Sequence, residues 1–254
     1  MIHATAIIHP NAIIGAGCEI GPYCIIGEHV TLGEKCKLHS HVVIDGHTKL
    51  GAGNEIFPFA SIGLKTQDLK WIGGVTRTEI GDQNTFREYV SIHSATSDGG
   101  VTVVGSHNHV LAYSHIAHDC RLGSHIIMSN AATLGGHVIV EDHAVISISA
   151  VHQFCRVGKF AMIGGCSKVV QDVPPFMIAD GNPAETRTIN KIGLERNGFS
   201  DEAQTALRQA YKTIFREGLT TSNALAKIEA ELPALPEVKY LVEFIRASER
   251  GICK

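Results

Sequence analysis

No apolar run in this sequence approaches the roughly 20 consecutive residues that a membrane-spanning helix needs. The first six residues, Met1-Ile2-His3-Ala4-Thr5-Ala6, contain neither the basic segment nor the apolar segment of a secretion signal. Apolar residues make up 44% of the chain and charged residues 19%, which is typical of a globular protein. We therefore expect a folded chain without a membrane span or a signal peptide.

A strong excess of either charge is also lacking. The formal net charge is −3, so nothing marks the whole chain as a nucleic-acid binder. The charge is uneven, however, because the segment 183–254 carries 11 of the 22 Lys and Arg against 10 Asp and Glu. This relatively basic C-terminal part indicates an acidic partner.

The cysteine pattern does not predict a disulfide framework. The seven cysteines are an odd number, and four of them occupy one position of the six-residue repeat described below: Cys18, Cys24, Cys36 and Cys120. That position is predicted to be buried, so we interpret these residues as core thiols. A cytoplasmic location is the expectation that follows.

Several common active-site motifs are missing. Neither G-x-S-x-G nor H-E-x-x-H occurs. The strings Gly15-Ala16-Gly17 and Gly51-Ala52-Gly53 match parts of a dinucleotide-binding loop, but the third glycine is misplaced and no strand–helix–strand context follows. These strings therefore do not predict a nucleotide fold.

A period of six residues dominates the first part of the chain. Every sixth position from Ile2 to Ile146 gives 25 positions, and 22 of them carry a large apolar residue. Glycine often follows this residue, and a small residue often stands four places after it. The period differs from those of an amphipathic helix and of an alternating strand.

Such hexads are typical of a three-sided parallel β-helix. Each hexad would form one short strand and one turn, and three successive hexads would form one coil. The large residue would point inward, and the glycine would either relieve crowding or permit a positive φ at the corner. We predict a mainly β fold, a left-handed parallel β-helix, with a small C-terminal α-helical domain.

The repeat is interrupted twice and shifted once. Asp68, Gly74 and Asp98 stand where core residues are expected, which predicts loops within 63–79 and 94–103. Long loops on a rigid scaffold often carry function. The phase then resumes one residue early at Val151, so the hexad that begins at Ile146 is one residue short and its coil should be tight or distorted.

The repeat ends near Gly181-Asn182-Pro183, which predicts a β-helix domain over 1–182 and a helical domain over 183–254. Ser200 is a suitable N-cap for a helix that stops near Gly218. Two further helices are predicted over 222–232 and 237–250.

Fifteen histidines are present, and most of them are expected at turns or on the outer wall. The exception is His115-Ile116-Ala117-His118-Asp119. Because positions three hexads apart stack on successive coils, His118, Gly136 and, after the one-residue shift, Gln153 should form a column. His137 and His152 would flank this column, whereas strand alternation could direct Asp119 elsewhere.

Three interpretations of this histidine patch remain open on geometry alone. A neutral imidazole could act as a general base beside a backbone N–H that stabilises an oxyanion. Stacked histidines could instead bind zinc. The patch could also be a hydrogen-bonded cluster without a chemical role.

Several motifs in order resemble the UDP-N-acetylglucosamine O-acyltransferases, and the resemblance spans the whole chain. They are His115-Ile116-Ala117-His118-Asp119-Cys120, Gly135-Gly136-His137, Ala150-Val151-His152-Gln153-Phe154, Gln171-Asp172-Val173-Pro174-Pro175 and Gly193-Leu194-Glu195-Arg196-Asn197-Gly198-Phe199. The resemblance implies the first step of lipid A synthesis, in which an (R)-3-hydroxyacyl group moves from acyl carrier protein to the glucosamine 3-hydroxyl of UDP-N-acetylglucosamine.

The resemblance also implies roles for individual residues, without a metal or another cofactor. His118 would be the general base, and the N–H of Gly136 would stabilise the oxyanion. Residues that would position the substrates are Gln67, Asp68, Lys70, His115, His137, His152 and Gln153, with Asn190 and Arg196 at the nucleotide end. The family implies a homotrimer with sites between subunits, and the basic helical domain would meet the acidic carrier protein.

This sequence departs from the family pattern around the acyl groove. Ser147-Ile148-Ser149 stands where a glycine pair is usual, Asn197 replaces a second arginine, and Ile192 replaces an acid. Gly165 occupies a position that limits acyl length in the family, and a glycine there predicts room for a longer chain.

Other functions are compatible with the same fold. The related N-acyltransferase carries an additional N-terminal nucleotide-binding domain, whereas the hexads here begin at residue 2. A zinc-dependent hydratase resembling the γ-type carbonic anhydrases, with stoichiometric zinc, and a non-catalytic scaffold are the alternatives from other classes.

Overall fold

The computed structural model describes residues 1–254 and shows a three-sided prism of short parallel strands. Its first face contains β1 (Ile7–Ile8), β4 (Ile25–Ile26), β7 (Val43–Ile44), β10 (Ser61–Leu64), β13 (Ser91–His93), β16 (His115–Ile116), β19 (Thr133–Leu134), β22 (Ser149–Val151) and β25 (Ser167–Val169). The second face contains β2 (Ile13–Ile14), β5 (Thr31–Leu32), β8 (His47–Leu50), β11 (Arg77–Ile80), β14 (Val101–Val104), β17 (Arg121–Leu122), β20 (Ile139–Val140) and β23 (Arg156–Val157).

The third face runs from the N-terminal coil to the C-terminal part of the chain. It contains β3 (Glu19–Ile20), β6 (Lys37–Leu38), β9 (Glu55–Ile56), β12 (Thr85–Phe86), β15 (His109–Val110), β18 (Ile127–Met128), β21 (Val145–Ile146), β24 (Met162–Ile163), β26 (Met177–Asp180) and β27 (Glu185–Ile189). The coil of three hexads is confirmed, because His115 pairs with Thr133 and Ile127 pairs with Val145.

The inward positions of the hexads form one continuous apolar core. Ile20, Ile26, Leu38, Ile44 and Ile116 are almost fully buried, as predicted from the period. The four cysteines at the small position, Cys18, Cys24, Cys36 and Cys120, are buried free thiols. Burial raises the pKa of the Cys120 thiol to about 12, so this thiol stays protonated and packs as a small apolar group.

The glycine that follows the core residue relieves crowding between coils. A Cβ built on Gly33 would lie 2.4 Å from the carbonyl carbon of Gly51, so any side chain there would strike the next coil. The positive φ falls two residues later, at non-glycine corner residues such as Tyr113, His125 and His137. The structure thus decides between the two roles considered for this glycine.

The short hexad has one residue fewer in its turn, and its strand is complete. Ser149 begins β22 immediately after the turn, and the strand keeps its parallel register with β19 and β25. Ile148 still accepts a hydrogen bond from the N–H of Cys166 (2.6 Å). The tight turn is therefore local, and residues after Val151 return to the columns of the earlier coils.

Both predicted loops leave the prism near one corner, and both are shorter than expected. The long loop covers residues 65–76, because β10 extends to Leu64 and β11 begins at Arg77. The short loop covers residues 94–100, between β13 and β14. Leu69 and Ile72 of the long loop are fully exposed.

The C-terminal part adds an antiparallel pair, β26 with β27, and four helices. The helices are α1 (Lys191–Arg196), α2 (Asp201–Phe215), α3 (Thr221–Glu231) and α4 (Pro236–Arg246). Ser200 caps α2 as predicted, by accepting the N–H of Ala203. The division of the chain into domains at residue 182 stays a prediction, since the second apolar cluster already includes Phe176 and Met177.

Two features of this part differ from the sequence prediction. The hairpin and α1 were not predicted, because both are too short to show a period. The last helix ends at Arg246 rather than at residue 250, because the chain turns back to the prism there. The Ser248 hydroxyl donates to Asp172 (2.7 Å), and Ile252 forms a β-bridge with the same residue. None of the helices has the length and apolarity required to cross a bilayer.

Inside the prism, a column of buried asparagines links three coils. Asn84 donates its side-chain amide to Asn54 Oδ1 (2.9 Å), and its own Oδ1 accepts the backbone N–H of Asn108 (2.9 Å). All three side chains are excluded from solvent. The column satisfies backbone groups that would otherwise be buried without partners.

We predict that Asn84→Ala lowers the free energy of unfolding by about 3 kcal/mol, because it leaves a buried N–H and a buried amide oxygen short of partners. The measurement is urea unfolding at a fixed protein concentration. Glu79→Ala, on the outer wall of the same coil, is the control and should change the stability by less than about 0.5 kcal/mol. Equal midpoints for the two variants would contradict the prediction.

Candidate active site

A cavity of about 430 Å³ lies where the two loops meet one corner of the prism. The long loop contributes Asp68, Lys70 and Ile72, and the short loop contributes Thr96, Ser97 and Asp98. The corner contributes four side chains from three successive coils: His118, His137, Gln153 and Phe154. The cavity is thus built from both breaks in the repeat and from the predicted histidine patch.

His118 is held by a carboxylate on one side of its ring. Its Nδ1 lies 2.9 Å from Asp119 Oδ2, which also accepts the backbone N–H of Thr96 (3.0 Å). Because a carboxylate only accepts hydrogen bonds, the ring proton resides on Nδ1. Nε2 is then left as a proton acceptor, and it lies 3.8 Å from Asp68 Oδ2 in the cavity wall.

Asp119 points toward His118 because it is a corner residue rather than a strand residue. Its φ is +60°, and its N–H donates to Thr102 Oγ1 (2.8 Å) in the preceding coil. The expectation that alternation could direct this carboxylate elsewhere is therefore wrong. A corner geometry replaces the alternation on which that expectation depended.

Gly136 lies directly against the imidazole of His118. A Cβ at this position would lie 2.3 Å from His118 Cε1 and 2.4 Å from Nε2, so only glycine leaves the ring in place. At several other corners the matching turn amide is capped by a side chain of the next coil, as when Ser124 N–H donates to Asp142 (2.8 Å). The N–H of Gly136 has no such acceptor in the chain.

The structure brings together His118, Gly136, Gln153 and one of the two flanking residues, His137. Gln153 follows Gly136 in register, as the pairings of Leu134 with Val151 and of Ile116 with Leu134 require. The ring of His137 stands edge-on to His118 at 5.3 Å and stacks on Phe154 at 4.6 Å. His152 lies on the outside, where its Nδ1 contacts Gln153 O (3.1 Å), and it does not line the cavity.

Two further histidines, the buried His93 and the half-buried His115, lie near His118 but do not line the cavity. His115 Nδ1 is 2.8 Å from Ser91 Oγ, and its ring meets that of His93 edge-on at 5.2 Å. Burial, with smaller effects of His93 and His118, lowers the pKa of His115 to about 4. Burial likewise lowers the pKa of His93, whose Nδ1 has no hydrogen-bond partner.

His93 was not among the residues predicted from the sequence. It is the last residue of β13, where the chain leaves the prism for the short loop, and it pairs with Leu64, the last residue before the long loop. A histidine that directly precedes a break in the repeat, one coil before His115, was the available signal.

The remaining predicted site residues lie farther out. Gln67 is exposed and does not line the cavity, although its neighbours Asp68 and Lys70 do. Asn190 is buried at the start of α1, where its Oδ1 accepts the N–H of Gly193 and its amide donates to Phe160 O (2.9 Å). Arg196 is exposed at the end of α1. Within one chain neither Asn190 nor Arg196 reaches the cavity.

Gly165 lies in the turn between β24 and β25, beside the short hexad. A Cβ built there would make ordinary contact with Ile148 Cγ2 at 3.8 Å and nothing closer. The position therefore has free space beside the side chain of Ile148, which is half exposed.

One group of side chains in this region has donor atoms close enough to hold a metal ion. His118, Asp119 and His137 each offer one atom, and these atoms lie within 4.8 Å of one another. The donor set of two imidazoles and a carboxylate is one that zinc accepts.

Comparison with known proteins identifies the family. A family model described as Udp N-acetylglucosamine O-acyltransferase, Domain 2, matches residues 172–253, and one described as Bacterial transferase hexapeptide (six repeats) matches residues 1–34. A UDP-N-acetylglucosamine acyltransferase from Bacteroides fragilis is 44% identical, with all of both chains covered and a TM-score of 0.98. The chain belongs to the UDP-N-acetylglucosamine acyltransferase family.

Other members of the acyltransferase family agree over the full length. The structure of LpxA from Acinetobacter baumannii is 47% identical, with 100% of this chain and 99% of that chain covered and a TM-score of 0.96. The UDP-N-acetylglucosamine acyltransferase from Arabidopsis is 40% identical over all of both chains, with a TM-score of 0.90. The resemblance stated from the sequence and the predicted left-handed β-helix are both confirmed.

The partial burial of His115 predicts a pH dependence of stability. Its ordinary pKa is near 6.5, whereas its pKa in the fold is about 4. Between these values the unfolded chain binds more protons, so the stability contributed by this group should fall as the pH is lowered from about 6.5 to about 4. An NMR titration of the His115 ring should give a midpoint near 4 in the folded protein.

The same ring in urea-unfolded protein serves as the control and should return to its ordinary value. A folded-state midpoint at the unfolded value would contradict the burial of this imidazole.

Proposed function

We propose that this chain transfers an (R)-3-hydroxyacyl group from acyl carrier protein to the glucosamine 3-hydroxyl of UDP-N-acetylglucosamine, the first step of lipid A synthesis. One observation carries the chemistry: an imidazole held by a carboxylate at Nδ1 presents Nε2 to a cavity beside an uncapped backbone N–H. The titles of the similar structures name UDP-N-acetylglucosamine acyltransferases, which supports this acceptor.

In the first half of the reaction, His118 acts as the general base. The sugar 3-hydroxyl lies against Nε2, gives up its proton to that nitrogen and attacks the thioester carbon directly. Asp119 stabilises the imidazolium that forms, because its Oδ2 already accepts the Nδ1 proton. No covalent intermediate on the protein is needed.

In the second half, negative charge develops on the thioester oxygen. The N–H of Gly136 donates to this oxygen, which is the role for which an amide without another acceptor is suited. The tetrahedral intermediate then collapses and releases the thiol of the carrier protein. The proton held at Nε2 passes to the leaving sulfur and restores the neutral imidazole.

The lining of the cavity suggests how the substrates are oriented. Asp68 and Lys70 come from the same loop, and the N–H of Lys70 donates to Asp68 Oδ1 (3.0 Å), which orders this wall. We assign these two residues, with His137 and Gln153, to the sugar and acyl groups. Gln67, His115 and His152 are assigned to supporting positions around the same substrates.

We also propose that the working form is a homotrimer with the site between subunits. Asn190 and Arg196 do not reach the cavity of their own chain, so their proposed contacts with the nucleotide end require a neighbouring copy. The fully exposed Leu69 and Ile72 beside the cavity are apolar groups that a neighbour could cover. The basic C-terminal part supports the carrier protein as the acidic partner, and seven free thiols support a cytoplasmic location.

The zinc-dependent hydratase considered from the sequence has no support among the similar proteins. Those that cover the full length are acyltransferases.

We predict that His118→Ala lowers kcat for acyl transfer by about 100- to 10,000-fold, the usual contribution of a general base. Gly136→Ala should cause a comparable loss, because its methyl group would displace the His118 ring. The assay follows transfer from 3-hydroxyacyl carrier protein to UDP-N-acetylglucosamine.

His125→Ala, at an exposed corner remote from the cavity, is the matched control and should keep wild-type activity in the same oligomeric state. Wild-type turnover by a folded His118→Ala variant would overturn the assignment of the base.

We predict that Gly165→Met shortens the acyl chain that the enzyme accepts. The new side chain would fill the space beside Ile148 and exclude about two methylenes, which corresponds to a loss of about ten-fold in kcat/KM for long donors. Short hydroxyacyl donors should be used as well as by the wild type. A wild-type preference for short donors would contradict the open groove.

A further inference from the structure

We infer that Zn²⁺ binds to Nδ1 of His118, Oδ2 of Asp119 and Nε2 of His137, and that the bound ion switches the enzyme off. The inference rests on the proposed function only in the second part, because the binding itself requires no turnover. It differs from a hydratase mechanism, since the ion here inhibits and takes no part in a reaction.

The three donor atoms are spaced as a zinc site requires. Zinc binds nitrogen and oxygen ligands at about 2.0 to 2.2 Å in a tetrahedron, which places neighbouring ligand atoms about 3.3 Å apart. Asp119 Oδ2 lies 2.9 Å from His118 Nδ1 and 3.7 Å from His137 Nε2, and each of the three residues offers one donor atom within 4.8 Å of those of the other two. Water would supply the fourth ligand.

Two of the donors are held in place before an ion arrives. The His137 ring is stacked on Phe154 at an interplanar angle of 11°, and the nearest carboxylate oxygen to its Nε2, Asp119 Oδ2, is 3.7 Å away. Asp119 is fixed by the Thr96 N–H at its carboxylate and by Thr102 at its own N–H. Little side-chain order remains to be lost on binding, which favours affinity.

The ion would reach these atoms from a second cavity that adjoins the substrate cavity at His137 and Phe154. This second cavity, of about 750 Å³, is lined by Asp119 and His137 but not by His118. Its charged lining is balanced, with three arginines and three acids: Arg121, Arg156, Arg250, Asp119, Asp172 and Glu249. The approach therefore presents no net positive charge to a cation.

Inhibition would follow from the tautomer of one imidazole. In the free enzyme the ring proton is on Nδ1, and Nε2 accepts a proton from the substrate. When Nδ1 binds zinc, the ring proton moves to Nε2, so the number of protons on the ring is unchanged. Nε2 then donates a hydrogen bond and can no longer act as a base.

A different histidine cluster is the main rival for zinc. The rings of His107, His125 and His143 stack on successive coils, with centroids 4.9 and 4.7 Å apart. This ladder lies at another corner and carries no carboxylate between its rings. His125 matches His137 closely, because both are corner residues with φ near +60° and both stack on a following ring.

The test is calorimetric titration of ZnCl₂ into the full-length protein without substrates. We expect one ion per chain. His137→Gln should weaken binding by at least about 100-fold, since even groups that only support a metal ligand contribute about 10- to 100-fold. His125→Gln should bind zinc as the wild type does. ¹⁵N spectra of the His118 ring should show the proton on Nε2 in the zinc-bound protein.

Kinetics then test the inhibitory role. Zinc should lower kcat for acyl transfer, because the imidazole of His118 can then no longer accept the proton of the sugar hydroxyl. The inference is overturned if the wild type binds no zinc, if His125→Gln loses binding and His137→Gln keeps it, or if zinc raises KM alone. A wild type without acyl transfer would overturn the proposed function, and the titration and spectra would still decide the zinc site.

Discussion

The parallel hydrogen bonding between coils, locked at three hexads per coil by the inward apolar side chains, is the constraint on which the whole structure depends. Each large residue such as Ile116 fills the prism, and its strand pairs with the strand one coil away. A one-residue slip would move the core residue of that strand to the surface. Positions one coil apart in sequence therefore become neighbours in space, and a site can be read as a column.

The corners of the prism orient the side chains of the active site. A corner residue has a positive φ, which costs energy for any side chain except glycine. Stacking between successive corners offsets part of this cost, as in Phe59, Tyr89 and Tyr113 along one edge. At the active-site corner the same geometry directs Asp119 onto His118 and stacks His137 on Phe154. The scaffold thus fixes the ring of the base without a dedicated supporting element.

The parts of the site that follow the period could be predicted from sequence. The column of His118, Gly136 and Gln153 needed only the three-hexad coil and one counted shift, and the two loops were visible as Asp68 and Asp98 at core positions. Asp119 was misjudged because strand alternation was applied to a corner. His93 was missed because its importance comes from burial beside His115, which depends on how the short loop folds back.

In the C-terminal part, fewer elements could be predicted from the periodicity of the sequence. Helix α2 has a capping serine and an apolar stripe, so its start was correct. The pair of β26 and β27 exists because β26 also extends the third face of the prism, and such a tertiary reason leaves no local pattern. The same holds for the end of α4, where contacts with Asp172 from another part of the chain stop the helix.

The carboxylate contact that holds His118 as a base also exposes this base to inhibition by a cation. The carboxylate that fixes the proton on Nδ1 of His118 is, by the same charge and geometry, a ligand for a cation. An imidazole with a carboxylate partner is effective because only one of its two nitrogens is free to accept a proton. Any agent that exchanges the roles of these nitrogens abolishes the base. The second histidine at this corner, His137, is what turns a single carboxylate contact into a site where such an exchange can occur.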